Sequence, residues 1–106
     1  MAVNVIKAAG FDAAIKEGKV FVDFYADWCG PCAMISPIVA KLSETDKYKD
    51  VTFLKLNIDE DMDVAMRYKI VSIPTLLCFK DGKVTGTIVG YMEESELTAA
   101  IDEAFA

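Results

Sequence analysis

Val20-Phe21-Val22-Asp23-Phe24-Tyr25-Ala26-Asp27-Trp28-Cys29-Gly30-Pro31-Cys32-Ala33-Met34-Ile35-Ser36-Pro37-Ile38-Val39-Ala40-Lys41-Leu42 is the stretch that decides how this chain is read. Its first six residues are almost continuously apolar and rich in β-branched and aromatic types, the composition of a buried strand. Ala33 to Leu42 reads as a helix. Between the two stand a pair of cysteines separated by two residues. A Cys-x-x-Cys unit placed where a strand hands over to a helix, in a βαβ pattern, is a redox dithiol rather than a structural staple.

Working outward, Val3–Ile6 reads as a short strand and Ala9–Glu17 as a helix stopped by Gly18. The strand Val20–Tyr25 and the cysteine turn come next, then a helix running to about Ser43 or beyond. Val51–Asn57 reads as a third strand and Met62–Tyr68 as a short helix. Thr75–Lys80 is a fourth strand, opened by Pro74. Asp81-Gly82 is a two-residue hairpin signal, because both central positions of a type I′ turn need positive φ. It returns the chain as Lys83–Val89. Leu97, Ala100, Ile101 and Phe105 recur at helical spacing in Glu93–Phe105, with Ser95 or its acidic neighbours suited to the helix start. The order is β-α-β-α-β-α-β-β-α. It implies an α/β fold with a mixed sheet covered on both faces and a hairpin closing one edge.

At 106 residues the chain is expected to form one domain, residues 1–106, with a core of its own. Hydrophobic residues make up 54% and charged residues 26%, the balance of an ordinary globular domain. No apolar run approaches the roughly 18 residues needed to cross a bilayer, so no membrane role is expected. The first residues carry no secretory pattern, which makes the cytoplasm the default location. Net charge is −6, from 17 acidic and 11 basic residues, without a basic cluster. That excludes nucleic acid as a partner and favours partners with basic rims. Histidine is absent, so acid–base work near the cysteines falls to a carboxylate, a lysine or water.

The dithiol carries the chemistry. Cysteines at i and i+3 in a first helical turn share a face and can close a small disulfide ring, Cys29–Cys32. Cys29, at or just before the helix start, meets the unpaired N–H groups and the dipole that stabilise a thiolate. Gly30 permits the tight turn, and Pro31 suits the first turn, where its missing N–H costs nothing. Cys32, one turn deeper, is expected to be less exposed and less ionised. From that asymmetry Cys29 attacks and Cys32 resolves. A structural zinc site needs four ligands, and only Cys78 remains, so no metal and no other cofactor is expected. Cys78 reads as a small buried hydrophobe.

Asp23 interrupts a strand that otherwise looks buried on both faces. Two readings stand: a carboxylate satisfied locally at a strand end, or a buried carboxyl of raised pKa that exchanges protons with Cys32. Pro74 opens a strand, an allowed place for proline, and about 5–6% of X–Pro bonds are cis. Pro37 lies inside the helix, where it removes a backbone bond.

The segment Val-Asp-Phe-Tyr-Ala-Asp-Trp-Cys-Gly-Pro-Cys, with Ile73-Pro74-Thr75 some forty residues on and a late Gly90, resembles the thioredoxin family. The likeness covers the length and element order of essentially the whole chain. It implies the thioredoxin fold, a central mixed five-stranded sheet flanked by about four helices. It implies Cys29 as nucleophile, Cys32 as resolving thiol, Asp23 as the buried proton-transfer carboxyl and Pro74 as a cis-proline facing the disulfide. It implies Lys55 as the lysine beside that carboxyl, although a strand lysine is more often simply solvated. It also implies a shallow docking groove of Trp28, Gly30, Pro31, Ser72, Ile73, Pro74, Val89, Gly90 and Tyr91, where a substrate strand pairs with the backbone at Ile73. The chain departs from the family at Ala33, where many bacterial relatives carry a basic residue, at Tyr25, where tryptophan is common, and in its extra thiol, Cys78.

The reading that follows is a general protein-disulfide reductase. No Gly-x-Gly-x-x-Gly fingerprint is present, so an external thioredoxin reductase-type donor must supply electrons, and disulfide-containing proteins are the substrates. A monomer is expected. Two alternatives stay open: a disulfide oxidase or isomerase, and a redox-independent binding module using the same groove.

Overall fold

The computed structural model describes residues 3–106. Five strands form one sheet in the spatial order β1-β3-β2-β4-β5. These are β1 (Val3–Val5), β2 (Lys19–Tyr25), β3 (Val51–Asn57), β4 (Thr75–Lys80) and β5 (Lys83–Val89). β3 lies parallel to both β1 and β2, while β4 runs antiparallel to β2 and to β5. β2, third of the five, is therefore the middle of the sheet, and its C-terminal end delivers the chain to the cysteines.

Alternation along the strands sorts the side chains into two layers. Val20, Val22 and Phe24 of β2 join Leu54, Leu56, Leu77 and Phe79 beneath α1 (Ala8–Ile15) and α3 (Met62–Arg67). Phe21 joins Phe53, Leu76 and Cys78 beneath α2 (Gly30–Ser43) and α4 (Glu94–Ala104). The two layers differ in character. The first is aromatic, with Phe11 against Phe79 and Tyr68 at 6.0 and 5.7 Å between ring centroids. The second is mostly aliphatic around Phe53, whose ring lies 4.9 Å from Phe21 and 6.1 Å from Tyr48. No helix among the described residues is long and apolar enough to cross a membrane.

The mixed five-stranded sheet, the four helices and the element order are those expected. The expected strand start at Val3 and hairpin at Asp81-Gly82 stand, with φ of 52° and 87° at the two turn residues. Several boundaries are corrected. α1 ends at Ile15, because the chain must reach Gly18 at φ +74° before β2 begins at Lys19. β1 stops at Val5, and α3 stops at Arg67, ahead of Lys69 at φ +57°. A 3-10 turn over Asp46–Tyr48, unmarked by periodicity, follows α2. Of the starts expected for α4, Ser95 or its acidic neighbours, the structure takes Glu93, whose side chain and that of Glu96 close a reciprocal capping box. A bulge between Cys78 and Phe79 shifts the β4–β5 register.

Candidate active site

Ala26 leaves the end of β2, and Cys29 ends the loop in extended geometry, φ −93° and ψ 113°, as the N-cap of α2. Its Sγ accepts the Cys32 N–H at 3.1 Å, so a sulfur does what a serine or aspartate oxygen does at most helix starts. Cys29 and Cys32 are joined as a disulfide with Cα atoms 5.3 Å apart. The expected contrast in exposure is slight in this state, 6% against 4%. What separates the two sulfurs is position: Cys29 caps the helix and faces its free N–H groups, and Cys32 lies inside the first turn.

Pro31 occupies the first helical turn, as its fixed φ suits. Gly30 corrects an expectation. Its φ is not left-handed, and a Cβ there would meet open space, so the turn itself does not demand glycine. Gly30 and Pro31 instead leave a bare, exposed surface beside the disulfide.

Beneath the cysteines lies a cavity of about 150 Å³, lined by Asp23, Tyr25, Ala26, Asp27, Cys29, Cys32, Ala33, Ser36 and Lys55. Asp23 comes from the middle of β2, on the face covered by α2. It is buried, and its Oδ1 finds no hydrogen-bond partner among the described residues. Burial pushes its pKa from 3.8 to about 7, against the opposing pull of the Lys55 ammonium. Asp23 thus lies inside the strand rather than at its end, and no protein group among the described residues satisfies its Oδ1. Lys55 stands directly across from Asp23 in the β2–β3 register, half-buried, with Nζ 5.4 Å from the centre of the Tyr25 ring.

The Ile73–Pro74 peptide is cis and brings a distant segment against the sulfur: the Ile73 carbonyl oxygen lies 3.7 Å from Cys29 Sγ. The Gly90 N–H donates to the Pro74 carbonyl at 2.8 Å, with Gly90 at φ +88°, so the β5 exit is tied to the same loop. Tyr91 and Val89 are partly exposed beyond it. Ser72 and Val89 line a second hollow with Tyr68, Val71 and Thr87, not the cavity under the disulfide. Trp28 is 70% exposed, yet its Nε1 donates to Asp59 Oδ2 at 2.7 Å.

Three contributors escape the sequence reading. Asp59 positions Trp28, and the signal for it is the turn Asn57-Ile58-Asp59, closed by the Asp59 N–H to Asn57 Oδ1 at 2.9 Å. Ser36 and Asp27 line the cavity. Ser36 lies four residues after Cys32, a spacing that places both on one helix face.

A family model described as Thioredoxin matches residues 2–103. A thioredoxin from Staphylococcus aureus is 39% identical over 103 residues, spanning 97% of this chain and 98% of its own. Among solved structures, the thioredoxin of Malassezia sympodialis superposes with a TM-score of 0.90 at 37% identity, over 100% of this chain and 96% of that one. A chain from a study of thiol resolution in yeast mitochondrial 1-Cys peroxiredoxin via glutathione/thioredoxin systems gives 0.85 at 34%, over 96% and 95%.

Proposed function

On the premise that this chain belongs to the thioredoxin family and is a thiol–disulfide oxidoreductase, we propose that it is a general protein-disulfide reductase. The observation that carries this reading is the disulfide at the start of α2, with a buried carboxyl in the cavity below it and the Ile73 carbonyl against Cys29.

In the reduced protein the Cys32 N–H and the N-terminus of α2 stabilise the Cys29 thiolate. That thiolate attacks one sulfur of a substrate disulfide, forming a mixed disulfide and releasing the other sulfur as a thiolate, which takes a proton from solvent. The Cys32 thiol then gives its proton to the Asp23 carboxylate. The Cys32 sulfur attacks Cys29, the Cys29–substrate bond breaks, and the substrate's second thiolate leaves. Two electrons have passed from the dithiol to the substrate, and Cys29–Cys32 is oxidised.

The same geometry supports a docking groove. An extended substrate segment lies across the bare Gly30-Pro31 surface and pairs with the backbone at Ile73, while Trp28, Ser72, Pro74, Val89, Gly90 and Tyr91 border it. Lys55 holds charge beside Asp23. A thioredoxin reductase-type donor returns the electrons, in a reducing compartment such as the cytoplasm, to a protein acting as a monomer of one domain.

Cys32→Ser removes the resolving sulfur and leaves the attacking one. Mass spectrometry of that variant after exposure to a disulfide-bonded protein should show a covalent adduct on Cys29; its absence removes Cys29 from the attacking role. The direction of exchange is read from the reduction potential of the pair at pH 7. A value close to that of thioredoxins, roughly −270 mV, supports a reductase, and one between roughly −180 and −120 mV supports an isomerase or oxidase.

A further inference from the structure

The cavity under the disulfide is walled by more polar groups than the exchange reaction uses. Asp23 enters it from β2, Lys55 from β3, Asp27 from the loop after β2, and Cys29 and Cys32 from α2. Those are the charged and titratable groups that face Asp23 across it, beside Tyr25 on its own strand. Ser36 completes the α2 wall at its solvent-exposed rim, one helical turn beyond Cys32. The next residue, Pro37, has no N–H to offer the carbonyl of Ala33, which also lines the cavity. Ser36, which carries a hydroxyl, and Ala33, whose carbonyl lacks its usual helical partner, thus line the same cavity as a carboxyl whose Oδ1 finds no protein partner among the described residues. At about 150 Å³, with polar groups on several sides, the space accommodates a few water molecules.

We propose that Ser36 is the positioning residue for the water through which the Asp23 proton leaves the protein during resolution. The proposal rests on the reductase reading given above. Cys32 gives its proton to the Asp23 carboxylate, as already described. The Asp23 carboxyl then passes that proton to cavity water hydrogen-bonded to Ser36 Oγ, and the water releases a proton at the rim. No electrons move in this step: the sulfur–sulfur exchange is the work of Cys32 and Cys29 alone. Ser36 touches neither sulfur. It lowers the cost of an ionised Asp23 by holding water against it and supplies the last hydrogen-bonding group before bulk solvent. Lys55 acts on the same carboxyl from the other wall, as a fixed charge rather than a route.

Ser36→Val and Ser36→Thr have nearly the same shape and differ in the hydroxyl, so comparing them isolates it. Two readouts are needed. The titration midpoint of Asp23, followed by the NMR shift of its carboxyl carbon in the reduced protein, should rise in Ser36→Val and stay at the wild-type position in Ser36→Thr. The rate of mixed-disulfide resolution near neutral pH should fall by roughly tenfold in Ser36→Val, less than the 10²-fold or more lost with a group that transfers the proton directly. Imidazole, a small proton carrier, should restore it, and a merely structural defect would not respond. Equal midpoints in the two variants, with rates independent of imidazole, overturn the proposal. The midpoint is read without substrate, so it judges Ser36 even if the wild-type protein resolves no mixed disulfide, the outcome that would instead defeat the reductase reading.

Discussion

The sheet face beneath α2 and α4 has two halves that treat a buried ionisable group differently. Towards the dithiol, Asp23 and Lys55 sit under the start of α2, and a cavity is left between helix and sheet. Towards the other end, Phe21, Phe53 and Cys78 are sealed by Leu97 and Ile101, all at 2% exposure or less. Burial raises both Asp23 and the Cys78 thiol, to about 7 and about 12. The cause is the same, yet the consequences diverge. A carboxyl near 7 that lines a cavity is poised between its two protonation states at neutral pH, whereas a thiol near 12 in a closed core stays protonated. A buried group becomes chemistry only where the packing leaves it a way out.

Replacing Asp23 by Asn tests the wet half and carries the largest expected effect. The fold favours the protonated carboxyl, so between pH 3.8 and about 7 the native state holds a proton that the unfolded chain has lost. Stability contributed by this group is therefore greatest at low pH, falls as pH rises through that window and levels off above it. Asp23→Asn should raise stability at pH 8 by up to roughly 4 kcal/mol, and by less than half of that at pH 5. Denaturant titrations at the two pH values check it, and equal increments would mean that Asp23 is not destabilised by burial. The same variant should slow resolution.

Gly86 tests the dry half. A Cβ there would run into the Ala104 side chain, because β5 and α4 pack face to face at this point. Gly86→Ala should cost about 1–3 kcal/mol through overpacking, and adding Ala104→Gly should recover part of the loss. If the single variant is as stable as the wild type, α4 yields more readily than the packing implies. The smallest effect belongs to Cys78→Ala, expected to cost on the order of 1 kcal/mol for the small void left in the core. In the reduced native protein, iodoacetamide should modify Cys29 and leave Cys78 untouched until the chain unfolds. Modification of Cys78 at the native rate of Cys29 would erase the contrast between the halves.

Much of the fold was legible because its signals are local. A continuous apolar, β-rich run marked β2, Asp81-Gly82 marked the hairpin, and Pro31 after Cys29 marked the start of α2. What local signals left open was decided by neighbours. Among Ser95 and the acidic residues around it, Glu93 starts α4 because Glu96 answers it, and Gly30 keeps a φ that other residues also adopt. The cis peptide at Pro74 was expected only through the family resemblance, since nothing in the neighbouring residues separates it from a trans one.

From the sequence by itself came the element order, the dithiol at a strand-to-helix junction and the anomaly of an aspartate in an apolar strand, all properties of residues within one or two turns of each other. Tertiary structure alone decided what those residues meet. The Ile73 carbonyl faces Cys29 across 44 positions of chain, Asp59 holds Trp28 across 31, and Asp23, Cys32 and Ser36 open into one cavity. Periodicity assigns a side chain to a face of the sheet. Whether that face is packed shut or left hollow depends on which helix crosses it and where, and that is settled only when every element competes for the same space.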